Sequence, residues 1–446
     1  MNNGKKTPLQ ATKWQELAIG ALQRQEYICK NKTMKKILLI LAIIATTATA
    51  QEITYREYMR RVLTDNIALT ARSLDIEIAD AQAKSSRTYN DPTLAVTYTN
   101  NEDWDKKLGQ GIEVELGKTF TFGVRKSRMA MADSERKMTV ALLEEYMRNF
   151  CADASLAYLE HLRAQMLFDE ATDILNTLKE IADGDSMRFV RGDIAESNWL
   201  ESRMAMGIAR NAMLETEAEL NNTAIKLGYF MSNLNGAETL RGNGTLEINE
   251  EASPIESYIE RALANRADIM VALSRADVAE AALKFNKAQR RPELDVVVGA
   301  TYNRARPDFT TLKAGVAVPL KFSNLNKGAR IADEVLARQA NIEVEDARML
   351  VEADVMQAYN SYLYAVKQTG TFTGKMLADM RTIVESKRKA YELGETPFVD
   401  YLVIKRDESE MRRQYVEALF AKATAWVELQ RATGVELEYD TVPANK

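Results

Sequence analysis

The chain has 446 residues, 46% hydrophobic and 28% charged, with a formal net charge of -5. That mild acidity gives no electrostatic reason to expect nucleic acid, whose partners show a basic patch. One histidine, His161, and two cysteines, Cys29 and Cys151, rule out a disulfide framework and argue against a His/Cys zinc site, so no metal centre is expected.

Residues 1–33 form an upstream extension with no structural signal of their own. "MKKILLILAIIATTATAQE" follows, with Lys35 and Lys36 before an apolar run from Ile37 to Ile44. Ala48-Thr49-Ala50 then supplies the small-x-small cleavage pattern, so residues 34–50 are expected to be a signal peptide cut between Ala50 and Gln51. The apolar run is too short for a comfortable transmembrane helix. No cysteine lies at the cut, so no lipoprotein anchor is indicated.

The remainder is duplicated. At an ungapped offset of 200 residues, Tyr58 meets Tyr258, Arg61 meets Arg261 and Leu63 meets Leu263. Lys84, Pro92, Leu94, Phe122 and Asp133 likewise match Lys284, Pro292, Leu294, Phe322 and Asp333. The first repeat, 51–250, predicts a helix over 54–88, a β-hairpin over 92–122 and a long helical hairpin turning near Gly192. The second, 251–440, predicts a helix over 254–290 with Ser253 as N-cap and Pro254 in first position, a β-hairpin over 292–322 and a helical hairpin turning near Gly394. Residues 441–446 are a tail.

The strands alternate. Leu94, Val96 and Tyr98 share a face, as do Ile112, Val114 and Leu116 opposite Glu113 and Glu115. Leu294, Val296, Val298 and Tyr302 repeat the pattern, followed by Leu312, Ala314, Val316, Val318 and Leu320. This fits either a half-buried soluble sheet or a membrane barrel. Four strands cannot close a barrel, since known ones start at about eight, so membrane strands would have to be pooled between chains.

In the helix after the second hairpin, Val335, Ile342, Met349, Met356 and Leu363 recur every seven residues. A second series runs Ala337, Val344, Val351, Ala358 and Ala365. Two residues of helix turn about 200°, so these seams lie on nearly opposite sides. A helix on a single core needs one apolar stripe, whereas two opposed seams fit a wall in which each helix has two neighbours. "LGETPFVDYLVIK" then breaks the helical pattern at Gly394, with Pro397 expected in the first turn of a new helix and Asp400 one turn in. Asp400 is either one more acid on a wet face or part of a functional tip. There is no phosphate-cradling loop, nucleophile elbow or paired metal-ligand motif, so no catalytic residue and no cofactor are assigned.

An exported, duplicated chain with two strand pairs and two long hairpins resembles the TolC family of outer-membrane efflux and secretion proteins. "ALANRADI" at 262–269, "YELGETPFVDYL" at 391–402 and "ELQRATG" at 428–434 carry the resemblance. It implies a mainly α fold with β: a homotrimer in which four strands per chain make a twelve-stranded outer-membrane β-barrel, continued by a periplasmic α-helical barrel. It also implies an inner-membrane pump and a periplasmic adaptor as partners, outer-membrane lipid around the barrel, and transport of small molecules to the exterior. By the same resemblance Asp400 would belong to a constricting acidic ring. Val403 stands where the family has a second aspartate, which leaves one ring rather than two. Arg191, Gly192 and Asp193, and Leu393, Gly394 and Glu395, match the tips on which adaptors dock. Two branches remain open, heavy-metal cation efflux and type I protein secretion. The 19 methionines, among them Met129, Met131, Met204 and Met206, suit either a soft-metal path or simple packing. The rival of another class is an exported coiled-coil scaffold or adhesin without a pore.

Overall fold

A computed structural model describes residues 51–102, 107–248, 252–304, 310–319 and 327–434. The upstream extension and signal peptide expected over 1–50, the tail, Leu320 and Phe322 lie outside the described residues. The chain divides into two compact units, and each draws on both sequence repeats. One contains Leu74–Tyr146 and Arg266–Glu352; the other contains the segments up to Ser73, Met147–Asn265 and from Ala353 onward.

The unit containing the hairpins is built on a four-stranded antiparallel sheet. Its strands are β2 (Thr93–Glu102), β3 (Lys107–Thr121), β5 (Glu293–Asn303) and β6 (Thr311–Ala317), in the order β2-β3-β5-β6. The register sets Leu94 opposite Leu116, Val96 opposite Val114 and Tyr98 opposite Ile112. It continues with Leu116 opposite Val298, Ile112 opposite Tyr302, and Val296 opposite Val316. Because strand side chains alternate, all of these fall on one face, and Thr97, Glu113, Glu115, Thr301 and Lys313 fall on the other. On that polar face Lys313 pairs with Glu113, and with Glu115 at 3.4 Å. The apolar face is not covered by this chain: Leu94 is 68% exposed and Leu312 82%. Among the described residues, strands β2 and β6 each keep one unpaired edge.

Helices α2 (Ile67–Ser85), α3 (Val124–Val190), α6 (Ala267–Gln289) and α7 (Lys327–Gly370) flank the strands in sequence. Arg136 on α3 pairs with Asp80 on α2, and Arg290, just past α6, with Asp333 on α7 at 3.1 Å. Along α7 the two sevenfold series have different surroundings. Val344 and Val351 are buried, at 5% and 0% exposed, whereas Ile342 and Met349 are each 70% exposed. One seam is satisfied within the chain and the other is open. Among the described residues no helix is long and apolar enough to cross a membrane.

The helical unit holds α1 (Tyr55–Asp65), α4 (Glu196–Phe230), α5 (Ile255–Asn265), α8 (Gly374–Glu392), α9 (Phe398–Thr433) and the ends of α3 and α7. A short parallel pair, β1 (Gln51–Thr54) with β4 (Leu240–Asn243), joins them. Thr54 caps α1 by accepting from the Glu57 amide at 3.3 Å, which satisfies one orphan donor of the first turn. The core here gathers Tyr58, Tyr158, Leu159, Leu220, Leu227 and Leu246, all under 2% exposed. Fully burying an aliphatic side chain stabilises by about 1.5–3 kcal/mol. The Tyr158 hydroxyl lies 2.9 Å from the Ile53 carbonyl and 3.1 Å from that of Asn243, so it ties both short strands to α3.

Three sequence expectations shift at helix boundaries. The helix expected over 54–88 is two helices, because Asn66 is extended and its side chain caps α2 through the Leu69 amide at 3.0 Å. Its amide nitrogen also donates to the Phe230 carbonyl at 2.7 Å, which fixes the bend to α4. The helix expected over 254–290 breaks likewise at Arg266, which is extended and bridged to Asp268 at 2.5 Å. Two prolines of the second repeat stand just outside their helices. α5 opens at Ile255, one residue after Pro254, and Pro397, expected within the first turn of α9, is its N-cap.

Candidate functional site: the two hairpin turns

Both helical hairpins turn on glycine in the left-handed region, Gly192 at φ 79° and Gly394 at φ 79°. The hydrogen bonds that close α3 are repeated at the end of α8. The Gly192 amide donates to the Phe189 carbonyl at 2.9 Å and the Asp193 amide to that of Arg188 at 2.9 Å. The Gly394 amide donates to Tyr391 at 3.0 Å and the Glu395 amide to Ala390 at 2.8 Å. These are Schellman closures, which need a residue that tolerates positive φ at the glycine position. The next helices also start alike, from Ala195 at φ -70°, ψ 153° and Pro397 at φ -69°, ψ 154°. Even the third residues correspond: the Asn198 amide donates to Ala195 and the Asp400 amide to Pro397, both at 3.2 Å.

The side chains at the turns differ. Arg191 and Asp193 form an exposed ion pair at 3.4 Å, the kind that contributes at most about 1 kcal/mol. Leu393 is 75% exposed and Glu395 is exposed, so an apolar side chain stands where the first turn has Arg191. Asp400 lies exposed in the first turn of α9, where the helix macrodipole favours an acid whether or not it has another role. Its neighbours Val399 and Val403 are also exposed, while Tyr401 is buried. The single chain therefore presents Asp400 as an exposed acid flanked by exposed Val399 and Val403.

Below the turns lies a compact cluster that sequence reading missed. Leu178 and Ile181 of α3, Ala205 and Ala209 of α4, and Tyr391, Phe398 and Tyr401 of the second hairpin form its buried centre. Within it Asp185, 2% exposed, accepts the Tyr391 hydroxyl, which lies 2.6 Å from both carboxylate oxygens. Arg188 stands 3.6 Å from the same carboxylate, with its guanidinium over the Tyr391 ring at 5.6 Å. Burial, followed by the bond to Asp185, pushes the Tyr391 phenol well above its ordinary range. Burial likewise takes Tyr401 up to about 12. One buried carboxylate thus joins the first hairpin to the second just below both glycine turns.

A second polar knot crosses from α3 to α9. Glu408, almost fully buried, meets Lys405 at 2.7 Å and Arg412 at 2.8 Å, and Arg412 also reaches Glu170 at 3.1 Å. Burial alone would raise the Glu408 carboxyl, but the bonds to Lys405 and Arg412 prevail and hold it below its ordinary value. For Glu170 burial prevails over Arg412 and the shift is upward. His161 is fully buried, with Nδ1 3.0 Å from the Thr223 hydroxyl. Burial lowers its pKa to about 4, helped by the charge of Arg241 and opposed by the Leu240 carbonyl, so the ring is neutral at neutral pH.

No group of three or more His, Cys, Asp or Glu placed to hold a metal occurs among the described residues. The methionines are spread through the packing. Met206 and Met380 lie against the tip cluster, Met129 and Met131 are half-buried, and Met204 is exposed.

Residues 258–435 match the family model described as outer membrane efflux protein. No curated protein matches the chain. Solved structures share the fold at low identity. CusC, described as forming a transmembrane channel, is similar over 85% of this chain and 92% of its own, with TM-score 0.68 and 14% identity. The CmeC outer membrane channel of Campylobacter jejuni is similar over 86% of this chain and 87% of its own, with TM-score 0.70 and 15% identity. The outer membrane protein VceC of Vibrio cholerae covers 86% of this chain and 96% of its own, with TM-score 0.70 and 14% identity.

Proposed function

We propose, from the match of residues 258–435 to the outer membrane efflux protein family model and from the fold shared with solved outer-membrane channels, that the chain is the outer-membrane channel subunit of a tripartite efflux system, as its resemblance to the TolC family implies. In this reading three copies pool their sheets into a twelve-stranded barrel, and their helices continue it as a periplasmic tunnel. Small molecules enter from an inner-membrane pump through a periplasmic adaptor.

The observation that carries the reading is the sheet. Among the described residues, one chain leaves an apolar face largely exposed and two strand edges unpaired. Unpaired backbone groups cost several kcal/mol each in lipid, so a membrane location requires closure with further copies. The open seam of α7 supports the same assembly, since Ile342 and Met349 would otherwise face water. Asp400 is assigned to the aperture on this reading: three copies around a threefold axis would set three carboxylates close together, where they repel and attract cations. The turns at Arg191-Gly192-Asp193 and Leu393-Gly394-Glu395 are assigned to adaptor docking. The pore-free scaffold is disfavoured because it leaves the apolar sheet face without an occupant. The direct test is extraction of the outer-membrane fraction in mild detergent followed by native mass spectrometry. A trimer is expected, and a soluble monomer in the periplasmic fraction would sink the reading.

A further inference from the structure

At the end of the sheet that joins the helices, the apolar face stops being purely apolar. The register sets Lys118 opposite Val296, so it shares a face with Leu116 and Phe120, and its Nζ lies 5.9 Å from the Phe120 ring. Just beyond, the loop after α2 is strapped to the first turns of α3. Arg125 donates to the Arg87 carbonyl at 2.8 Å, and Arg128 donates to Ser86 at 3.0 Å and Thr88 at 2.5 Å. The Arg125 guanidinium lies over the exposed Tyr89 ring at 4.2 Å. Arg291 closes the group from the other hairpin, its Nη1 lying where a Cβ on Gly123 would come within 2.7 Å.

The acids at this level are placed elsewhere. Asp295 and Glu293 pair with Thr119 and Thr121 in the register, on the polar face, and Asp295 accepts from the Thr119 hydroxyl at 2.5 Å. Asp333 is taken by Arg290. The first turn of α3 has no acid, and Asp91 is exposed in the loop before β2. Cations thus outnumber acids on the rim of the apolar face, beside aromatic rings, while Asp295 and Glu293 lie on the polar face. Amphipathic cations and aromatic side chains at the end of an apolar band are suited to the level of lipid headgroups.

We propose that this collar, centred on Lys118 and Arg125 with Tyr89 and Phe120 and joined by Lys126, exposed in the first turn of α3, binds the phosphates of acidic phospholipids in the leaflet at the helix-bearing end of the sheet. The proposal rests on the reading that the apolar sheet face meets lipid. It is the charge placement that selects an acidic headgroup: a chain with net charge -5 would as a whole be repelled by one.

The test uses the full mature chain and its Lys118→Gln/Lys126→Gln variant, which removes two cations while leaving Arg125 and its straps in place. Partition into vesicles of phosphatidylcholine is compared by flotation with partition into vesicles containing phosphatidylglycerol. The expected result is a preference for phosphatidylglycerol that falls roughly tenfold to thirtyfold in the variant, the factor two interfacial lysines supply. Equal partition into both vesicles, or an undiminished preference in the variant, would overturn the collar alone. Failure to partition into either vesicle would overturn the lipid-facing sheet and the collar with it. Loss of the preference in millimolar inorganic phosphate would assign the cations to free anions and also refute the proposal.

Discussion

Tyr391→Phe isolates the buried bond below the turns. The substitution removes one oxygen, keeps the ring against Phe398 and Tyr401, and leaves Asp185 with Arg188 at 3.6 Å as its remaining partner. A hydrogen bond to a charged group contributes about 1.5–3 kcal/mol, and a buried carboxylate left short of donors sits at the upper end. Because Asp185 is on α3 and Tyr391 on α8, the loss falls on local opening between the hairpins rather than on global unfolding. With 1.4 kcal/mol per factor of ten, amide exchange around residues 174–209 and 380–404 should accelerate roughly 10- to 150-fold, while the core around Tyr158 keeps its protection. Hydrogen exchange read by mass spectrometry resolves that range. Making both partners apolar, Asp185→Leu with Tyr391→Phe, should recover much of the protection, because no buried carboxylate is then left short of a donor and Arg188 is a quarter exposed. Acceleration under twofold in the single variant, or greater acceleration in the double one, would refute the assignment of the bond as a tie between the hairpins.

Four other outcomes follow from particular positions. Alanine at Gly394 meets no neighbour within 4 Å but is forced into positive φ, so Gly394→Ala should cost about 1–2 kcal/mol locally, whereas Gly184→Ala, inside a helix and equally unhindered, should stabilise by about 0.5–1 kcal/mol; hydrogen exchange and thermal melts separate the two. His161 is neutral when folded, so its contribution is intact above about pH 6.5 and is lost as the pH falls toward 4, by up to about 3 kcal/mol; in His161→Gln the denaturant midpoint should depend correspondingly less on pH, and an unchanged dependence would exclude the histidine as its source. Ile342→Glu, on the open seam, should abolish the proposed trimer and leave the helical content intact, while Val351→Glu, on the buried seam, should unfold the chain; native mass spectrometry with circular dichroism distinguishes them. Asp400→Ala should alter cation dependence of conductance in planar bilayers, and an identical response would remove the aperture role.

The alternating strands and the glycine turns were legible because each is a local pattern. Leu94, Val96 and Tyr98 advertise a face at period two, and Gly192 and Gly394 stand where only positive φ closes the helix. The extra break in the second repeat was not. Residues 371–373 interrupt the helical run after Gly370, with Thr373 capping α8 through the Met376 amide at 3.2 Å, while α3 runs unbroken over 67 residues. The short pair β1–β4 has four residues per strand, too few for a period to register. Asp185 was invisible for a different reason. Its meaning comes from Tyr391, 206 residues away, and in sequence it is simply another acid on a charged helix.

The duplication also explains why the backbone of the turns says less about function than their side chains do. The two Schellman closures, the extended residues before α4 and α9 and the third-residue hydrogen bonds are nearly superposable in their dihedrals and distances. Whatever distinguishes the turns must lie where the copies diverge: Arg191 and Asp193 against Leu393 and Glu395, and Asn198 against Asp400. The first turn spends its charges on each other at 3.4 Å. In the second, no ion pair to Glu395 or Asp400 occurs among the described residues, and exposed Leu393 and Val403 stand beside them. An exposed unpaired acid contributes little to folding, so both carboxylates are free to interact beyond the chain. Exchanging the pair, with Asn198→Asp and Asp400→Asn together, preserves total charge and both backbones. If position governs the aperture, that exchange should reproduce the conductance change of Asp400→Ala; if net charge alone governs it, conductance should stay as in the parent chain.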